Sequence, residues 1–211
     1  MFFTPITKMK PVENLVFDLG NVLIDFNPRH AVNKIVADHA EQEFLYTTIF
    51  RSAYWKQYDQ GLITFDELNK TLTDNHPQYT HQINWTLHNW YKEQPYLPGM
   101  FNLVSKLNAA GYPLFLLSNA NPSFYTFAPN LDILNLFTGI TISSDLKLLK
   151  PDKEIYDRFC EIHHLHPDEI LFIDDQQKNV DGAIAAGWRA YRFTDACALQ
   201  YALEEQFHIK L

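Results

Sequence analysis

Four short apolar runs along the chain each end in polar residues. Leu15, Val16 and Phe17 lead into Asp18 and a Gly20-Asn21 pair; 114–117 precede Ser118 and Asn119; 140–142 precede a loop reaching Lys150 and Pro151; 170–173 precede Asp174 and Asp175. Apolar runs of this length bounded by turn residues predict strands buried on both faces. Strands are therefore expected over 12–17, 114–117, 140–142 and 170–173, with a last one over 189–193. Between them the apolar spacing is helical. A hinge is expected over 25–28, because the residue before Pro28 is pushed out of the helical region. From Arg29 to Tyr91 the pattern is helical with breaks at Gly61, Thr64 and His76-Pro77. Thr64 followed three residues later by Glu67 has the spacing of a capping box, which predicts a helix through Leu72. Leu97-Pro98-Gly99 then returns the chain to alternating elements: a helix over 100–110 closed by Gly111, an amphipathic helix over 152–164, and a helix over 179–186 ended by Gly187. Such alternation argues a parallel sheet with right-handed crossovers.

In an open α/β sheet the ligand crevice lies outside the carboxyl ends of the strands, so each run delivers its polar residues to one edge. Taken singly, they are ordinary: a strand-end aspartate caps a turn, Ser-Asn is turn chemistry, Lys-Pro opens a helix, and paired acids cap the helix that follows. Taken in order, the motifs resemble those of the haloacid dehalogenase-like hydrolases. These are FDLGNV around Asp18, LLSN at Ser118, LKP at Lys150 and FIDD at Asp174 and Asp175, and the likeness spans nearly the whole chain. The 100 residues from Asp18 to Ser118 leave room for an inserted helical cap, and the later intervals of 32 and 24 residues each fit one helix and one strand. The resemblance implies a Rossmann-like α/β parallel-sheet core from 1–26 and 95–211, with a helical cap over 27–94.

It also implies a magnesium-dependent phosphatase acting on a small phosphorylated metabolite such as a sugar phosphate. Asp18 would be the nucleophile that forms an aspartyl-phosphate. Ser118, Asn119, Lys150 and the backbone at Leu19 and Gly20 would hold the phosphoryl oxygens. Asp18, the Gly20 carbonyl, Asp174 and Asp175 would form the Mg2+ site, with Asp175 a direct ligand and Asp174 either touching the ion or standing just behind its ligands; two neighbouring acids are costly unless a cation neutralises them.

The sequence departs from the family pattern at Gly20, where most of its phosphatases carry a second aspartate that protonates the leaving oxygen. General acid-base catalysis contributes about 10²- to 10⁴-fold, so its source here is open; Asp25 is one candidate. A dehalogenase, which also lacks that aspartate but needs no metal, and a catalytically silent phosphometabolite-binding protein are the alternatives.

Composition narrows the partners. With 17 basic and 25 acidic residues, a net charge of -8 and no basic run, nucleic-acid binding is not expected. Two cysteines make no disulfide scaffold, residues 1–10 lack a leader-like apolar stretch, and no run reaches the length of a membrane span, so a cytoplasmic location is expected. Among the cap aromatics, Trp55 and Tyr58, with Lys56, lie near the Gly61 turn and are candidates for the substrate side. His163, His164 and His166 sit at a helix end, where imidazoles meet the dipole favourably, rather than forming a metal cluster. Oligomeric state is not legible.

Overall fold

Five strands, β1 (Asn14–Phe17), β2 (Leu114–Ser118), β3 (Gly139–Ile142), β4 (Ile170–Asp174) and β5 (Arg189–Arg192), form one parallel sheet in the order β3-β2-β1-β4-β5. The computed structural model describes residues 10–211, so the reading of the N-terminal segment falls almost wholly outside the described residues. Because β1 is central, Phe17 pairs with Leu116 on one side and Ile173 on the other. The chain runs outward through β2 and β3, then crosses back to β4 and β5. The order therefore reverses beside β1, and the residues that follow β1, β2 and β4 share one edge at that switch point.

Side chains alternate between two buried clusters, as the period of two requires. Leu15, Phe17, Leu114, Leu116, Leu171 and Ile173 face one cluster. Val16, Phe115, Leu117, Ile170 and Phe172 face the other, against Ile155, Phe159 and Trp188. Full burial of side chains of this size stabilises by about 1.5–3 kcal/mol each, which makes the sheet a rigid base for the residues at its edge.

Five helices are inserted between β1 and the return to the sheet: α1 (Arg29–Ile35), α2 (His39–Phe50), α3 (Ala53–Asp59), α4 (Phe65–Asn75) and α5 (Thr80–Asn89). The expected hinge and return segment run side by side. The Asp25 N–H donates to the Pro95 carbonyl at 2.8 Å and the Leu97 N–H to the Leu23 carbonyl at 3.0 Å. The capping box forms as expected, with the Glu67 N–H donating to Thr64 Oγ1 at 3.2 Å and the Thr64 N–H to Glu67 Oε2 at 2.7 Å.

The remaining helices are α6 (Met100–Ala109), α7 (Phe124–Phe127), α8 (Ser143–Leu146), α9 (Lys153–His163), α10 (Gln177–Ala185) and α11 (Ala196–Glu205). The short turns α7 and α8 and the C-terminal α11 were not expected from the sequence. Asp195 caps α11 by accepting from the Ala198 N–H at 2.9 Å, and Leu199 and Leu203 are buried against the sheet cluster. Among the described residues no helix is long and apolar enough to cross a membrane.

Candidate active site

Asp18 follows β1 directly, Ser118 ends β2 and Asp174 ends β4, so three neighbouring strands deliver them to one place. All three side chains are buried, as is Lys150. After Asp18 the Leu19 carbonyl accepts from the N–H groups of Leu23 and Ile24 at 2.9 and 3.1 Å, a tight turn that leaves Leu19 and Gly20 lining a cavity of about 920 Å³. Ser118, Asn119 and Lys150 line the same cavity.

Lys150 is placed by Asn119, whose side-chain oxygen accepts from the Lys150 N–H at 2.8 Å and whose amide donates to the Lys150 carbonyl at 3.0 Å. The Asn119 side chain is thereby engaged, leaving its backbone as the part free to meet a ligand. The Lys150 ammonium contacts Asp18 at 2.9 Å, Asp174 at 2.7 Å and the Leu117 carbonyl at 2.9 Å. Burial alone would depress this ammonium, but the two carboxylates outweigh burial and hold it above its ordinary range.

Burial pushes the Asp18 carboxyl up to about 7, against the pull of Lys150 and with a further push from Asp174 and Asp175. Asp174 is fully engaged. Its oxygens accept from Lys150, from the Asn179 amide at 3.0 Å and from the Gln176 N–H at 2.8 Å. Asp175 differs: its Oδ1 is buried without a hydrogen-bond partner, and burial followed by the nearby Asp174 raises its carboxyl above the ordinary range. Oxygens of Asp18, Asp174 and Asp175 lie within 4.8 Å of one another, the one such acid cluster among the described residues.

The family model of haloacid dehalogenase-like hydrolases matches residues 12–187. The chain belongs to that family. Two curated relatives of similar length are the D-ribitol-5-phosphate phosphatase of Bacteroides thetaiotaomicron, 27% identical with 86% of this chain and 91% of that protein covered, and the sesquiterpene phosphatase astK of Aspergillus oryzae, 27% identical with 87% and 90% covered. Among solved structures, a HAD family enzyme of Bacteroides thetaiotaomicron in complex with magnesium and inorganic phosphate superposes with a TM-score of 0.68 at 24% identity, over 88% of this chain and 96% of that one. That likeness shows the shared fold.

For a family member the walls of the cavity are as informative as its floor. Although the chain carries a net charge of -8, Arg29, Arg51, Lys56, Lys150 and Lys178 line the cavity against Asp18 and Asp59. Of the expected cap residues, Trp55 and Lys56 line it, but Tyr58 does not: its hydroxyl pairs with Ser123 Oγ at 2.9 Å. Asp25 does not line it either. The histidines behave as a helix end, with His163 Nε2 paired to Thr141 Oγ1 at 2.8 Å.

Two site residues escaped the sequence reading. Asp59, in the last turn of α3, lines the cavity, and Asn121, three residues after Ser118, donates to Asp59 Oδ1 at 2.9 Å. Nothing in the local sequence marks either; only the docking of α3 over the end of β2 brings them in.

Proposed function

We propose that this protein is a phosphatase that hydrolyses a small phosphate monoester with magnesium, passing the phosphoryl group through Asp18. One observation carries the reading: a buried carboxylate at the end of the central strand, ion-paired to a buried lysine and flanked by two further carboxylates, on the floor of a cation-lined cavity. The names of the two curated relatives support it.

The residues present fit a magnesium ion. Three converging carboxylates, one with an orphaned buried oxygen, are costly without a cation, and magnesium favours oxygen ligands from one or two carboxylates plus a phosphate. Asp18 and Asp175 would hold it with the Gly20 carbonyl, Asp174 being kept in place by Lys150 and Asn179. When bound, the ion supplies positive charge that keeps these carboxylates ionised and offsets charge on the phosphoryl oxygens.

The chain's own residues do the rest. The Asp18 carboxylate attacks phosphorus and the bond to the leaving oxygen breaks, which divides hydrolysis into two displacements. Ser118, with backbone N–H groups at Leu19, Gly20 and Asn119, orients the three equatorial oxygens, and Lys150 sets a positive charge beside Asp18. The helices over 27–94 act as a cap whose inner wall, including Trp55 and Lys56, selects the substrate's remainder; a sugar phosphate suits both the polar groups and the cations there. A cytoplasmic location accords with two free cysteines, Cys160 and Cys197.

A screen of phosphorylated metabolites, with magnesium and with a chelator, tests the proposal. Phosphate release from at least one class, only with magnesium, is expected. Magnesium and phosphate binding without any turnover would favour a binding protein, and halide release from a 2-haloacid without metal would favour a dehalogenase.

A further inference from the structure

A phosphatase of this kind must protonate its leaving oxygen, and the structure closes the customary route. Position 20 is glycine, and the space its side chain would take is held by Phe26: a Cβ built on Gly20 lies 3.1 Å from Phe26 Cβ. The ammonium protons of Lys150 are committed to Asp18, Asp174 and Leu117. Among the described residues the carboxyl groups lining the cavity are those of Asp18 and Asp59.

We propose that Asp59, reaching the cavity from the last turn of α3, protonates the leaving oxygen in the first displacement and accepts a proton from the attacking water in the second. The assignment rests on the phosphatase reading above. The Asn121 side-chain oxygen accepts from the Ser123 N–H at 3.1 Å, which fixes the amide so that its NH2 group faces Asp59 Oδ1. Oδ1 therefore accepts from Asn121.

The backbone is equally fixed. Ser143 Oγ donates to the Asp59 carbonyl at 2.5 Å, Gln60 Nε2 donates to the Lys147 carbonyl at 3.0 Å, and Gly61 packs against the Ser144 carbonyl. Burial pushes the Asp59 carboxyl up to about 7, with the Asn121 amide and the Trp55 indole only partly opposing it. Proton donors are most effective when their pKa lies near the working pH.

The proton balance closes. In the first step Asp18 forms a bond to phosphorus, the ester P–O bond breaks, and the leaving oxygen takes the Asp59 proton to depart as an alcohol. In the second, water bonds to phosphorus as the Asp18–phosphorus bond breaks, its proton passes to Asp59, and inorganic phosphate leaves with both aspartates restored.

The competing role is a latch, in which Asp59 does no more than tie α3 to β2 through Asn121. The two separate by leaving group. An aryl oxygen departs with little help from a proton, whereas an alkyl oxygen needs one. Turnover of p-nitrophenyl phosphate and of a primary alkyl phosphate should be measured for wild type and Asp59→Asn at saturating magnesium. Asp59→Asn should lower turnover of the alkyl ester by about 10²- to 10⁴-fold, and that of the aryl ester far less; the surviving aryl activity shows that the variant is folded. Asp59→Glu, which keeps an acid, should recover part of the alkyl activity. Equal losses on both esters would reduce Asp59 to a latch, and no loss on either would remove it from the reaction; both overturn the proposal. A wild type inactive on both esters would instead overturn the phosphatase reading, and the assignment with it.

Discussion

Lys150 donates its ammonium protons to Asp18, Asp174 and the Leu117 carbonyl, so one buried cation holds two buried carboxylates in register at the floor of the cavity. Asp175 stands outside that network, with an oxygen left unpaired. Asp175→Ala should accordingly weaken magnesium binding while sparing the Lys150 contacts. Calorimetry is expected to show affinity reduced by at least about tenfold, equivalent to about 1.4 kcal/mol; unchanged affinity would place the ion elsewhere. Asp59 makes a different prediction. Its folded-state value of about 7 lies above its ordinary 3.8, so the folded state keeps a proton that the unfolded chain releases. That contribution to stability is complete below the ordinary value, and is lost as pH rises toward 7. Asp59→Asn, which has no proton to lose, should therefore be more stable than wild type at pH 8, by at most about 4 kcal/mol, with the advantage vanishing near pH 4; urea unfolding at the two pH values checks it. A variant that gains stability while losing alkyl phosphatase turnover marks a residue retained for function. The place of Asp18, Ser118, Lys150, Asp174 and Asp175 at one edge of the sheet was legible because each follows an apolar run that had to be a strand or its loop, while the roles expected of them came from the family resemblance. Asp59 was not, since an acid within a helical pattern looks like any solvent-facing residue until the opposing surface is known.

At the scale of elements, the junction of α3 with the β3–α8 corner decides where the helical insertion sits. Gly61 has φ +70 and a Cβ there would lie 2.2 Å from the Ser144 carbonyl oxygen, so both conformation and space demand glycine. Gly61→Ala should cost about 2–4 kcal/mol from backbone strain and overpacking together, and should lower turnover by displacing Asp59. Gly111 has φ +87 with nothing within 4 Å of a Cβ, so Gly111→Ala should cost only the conformational part, about 1–2 kcal/mol, and leave turnover intact. Denaturant unfolding of the pair separates the two contributions; equal destabilisation would show that the α3 junction is not under steric constraint. The strands and long helices were readable because burial on two faces imposes continuous apolar runs, and capping leaves polar signatures such as Thr64 and Glu67. The turns α7 and α8, four residues each, are too short to show a period. Helix α11 follows the last strand without a glycine or proline to mark its start, though Asp195 supplies its cap. Strand order was not legible at all, since register across the sheet depends on pairings between distant segments.

For the molecule as a whole, the strand order brings Asp18 beside the distant Asp174–Asp175 pair at the switch point next to β1, and the insertion covers them with a wall that carries Arg29, Arg51 and Lys56. A net charge of -8 would repel a phosphate ester at long range, whereas Arg51, Lys56 and Lys178 in the cavity lining attract it locally. The account stands on Asp18 as the atom that receives the phosphoryl group. Asp18→Asn keeps the shape of the side chain and removes the nucleophile. Phosphate release from p-nitrophenyl phosphate by the full chain, wild type against Asp18→Asn at saturating magnesium, is the most direct test. The account predicts magnesium-dependent release by wild type and a loss of about 10³-fold or more in the variant, a barrier increase of about 4 kcal/mol, with the folded state retained by circular dichroism. Release by the folded variant within tenfold of wild type would contradict it.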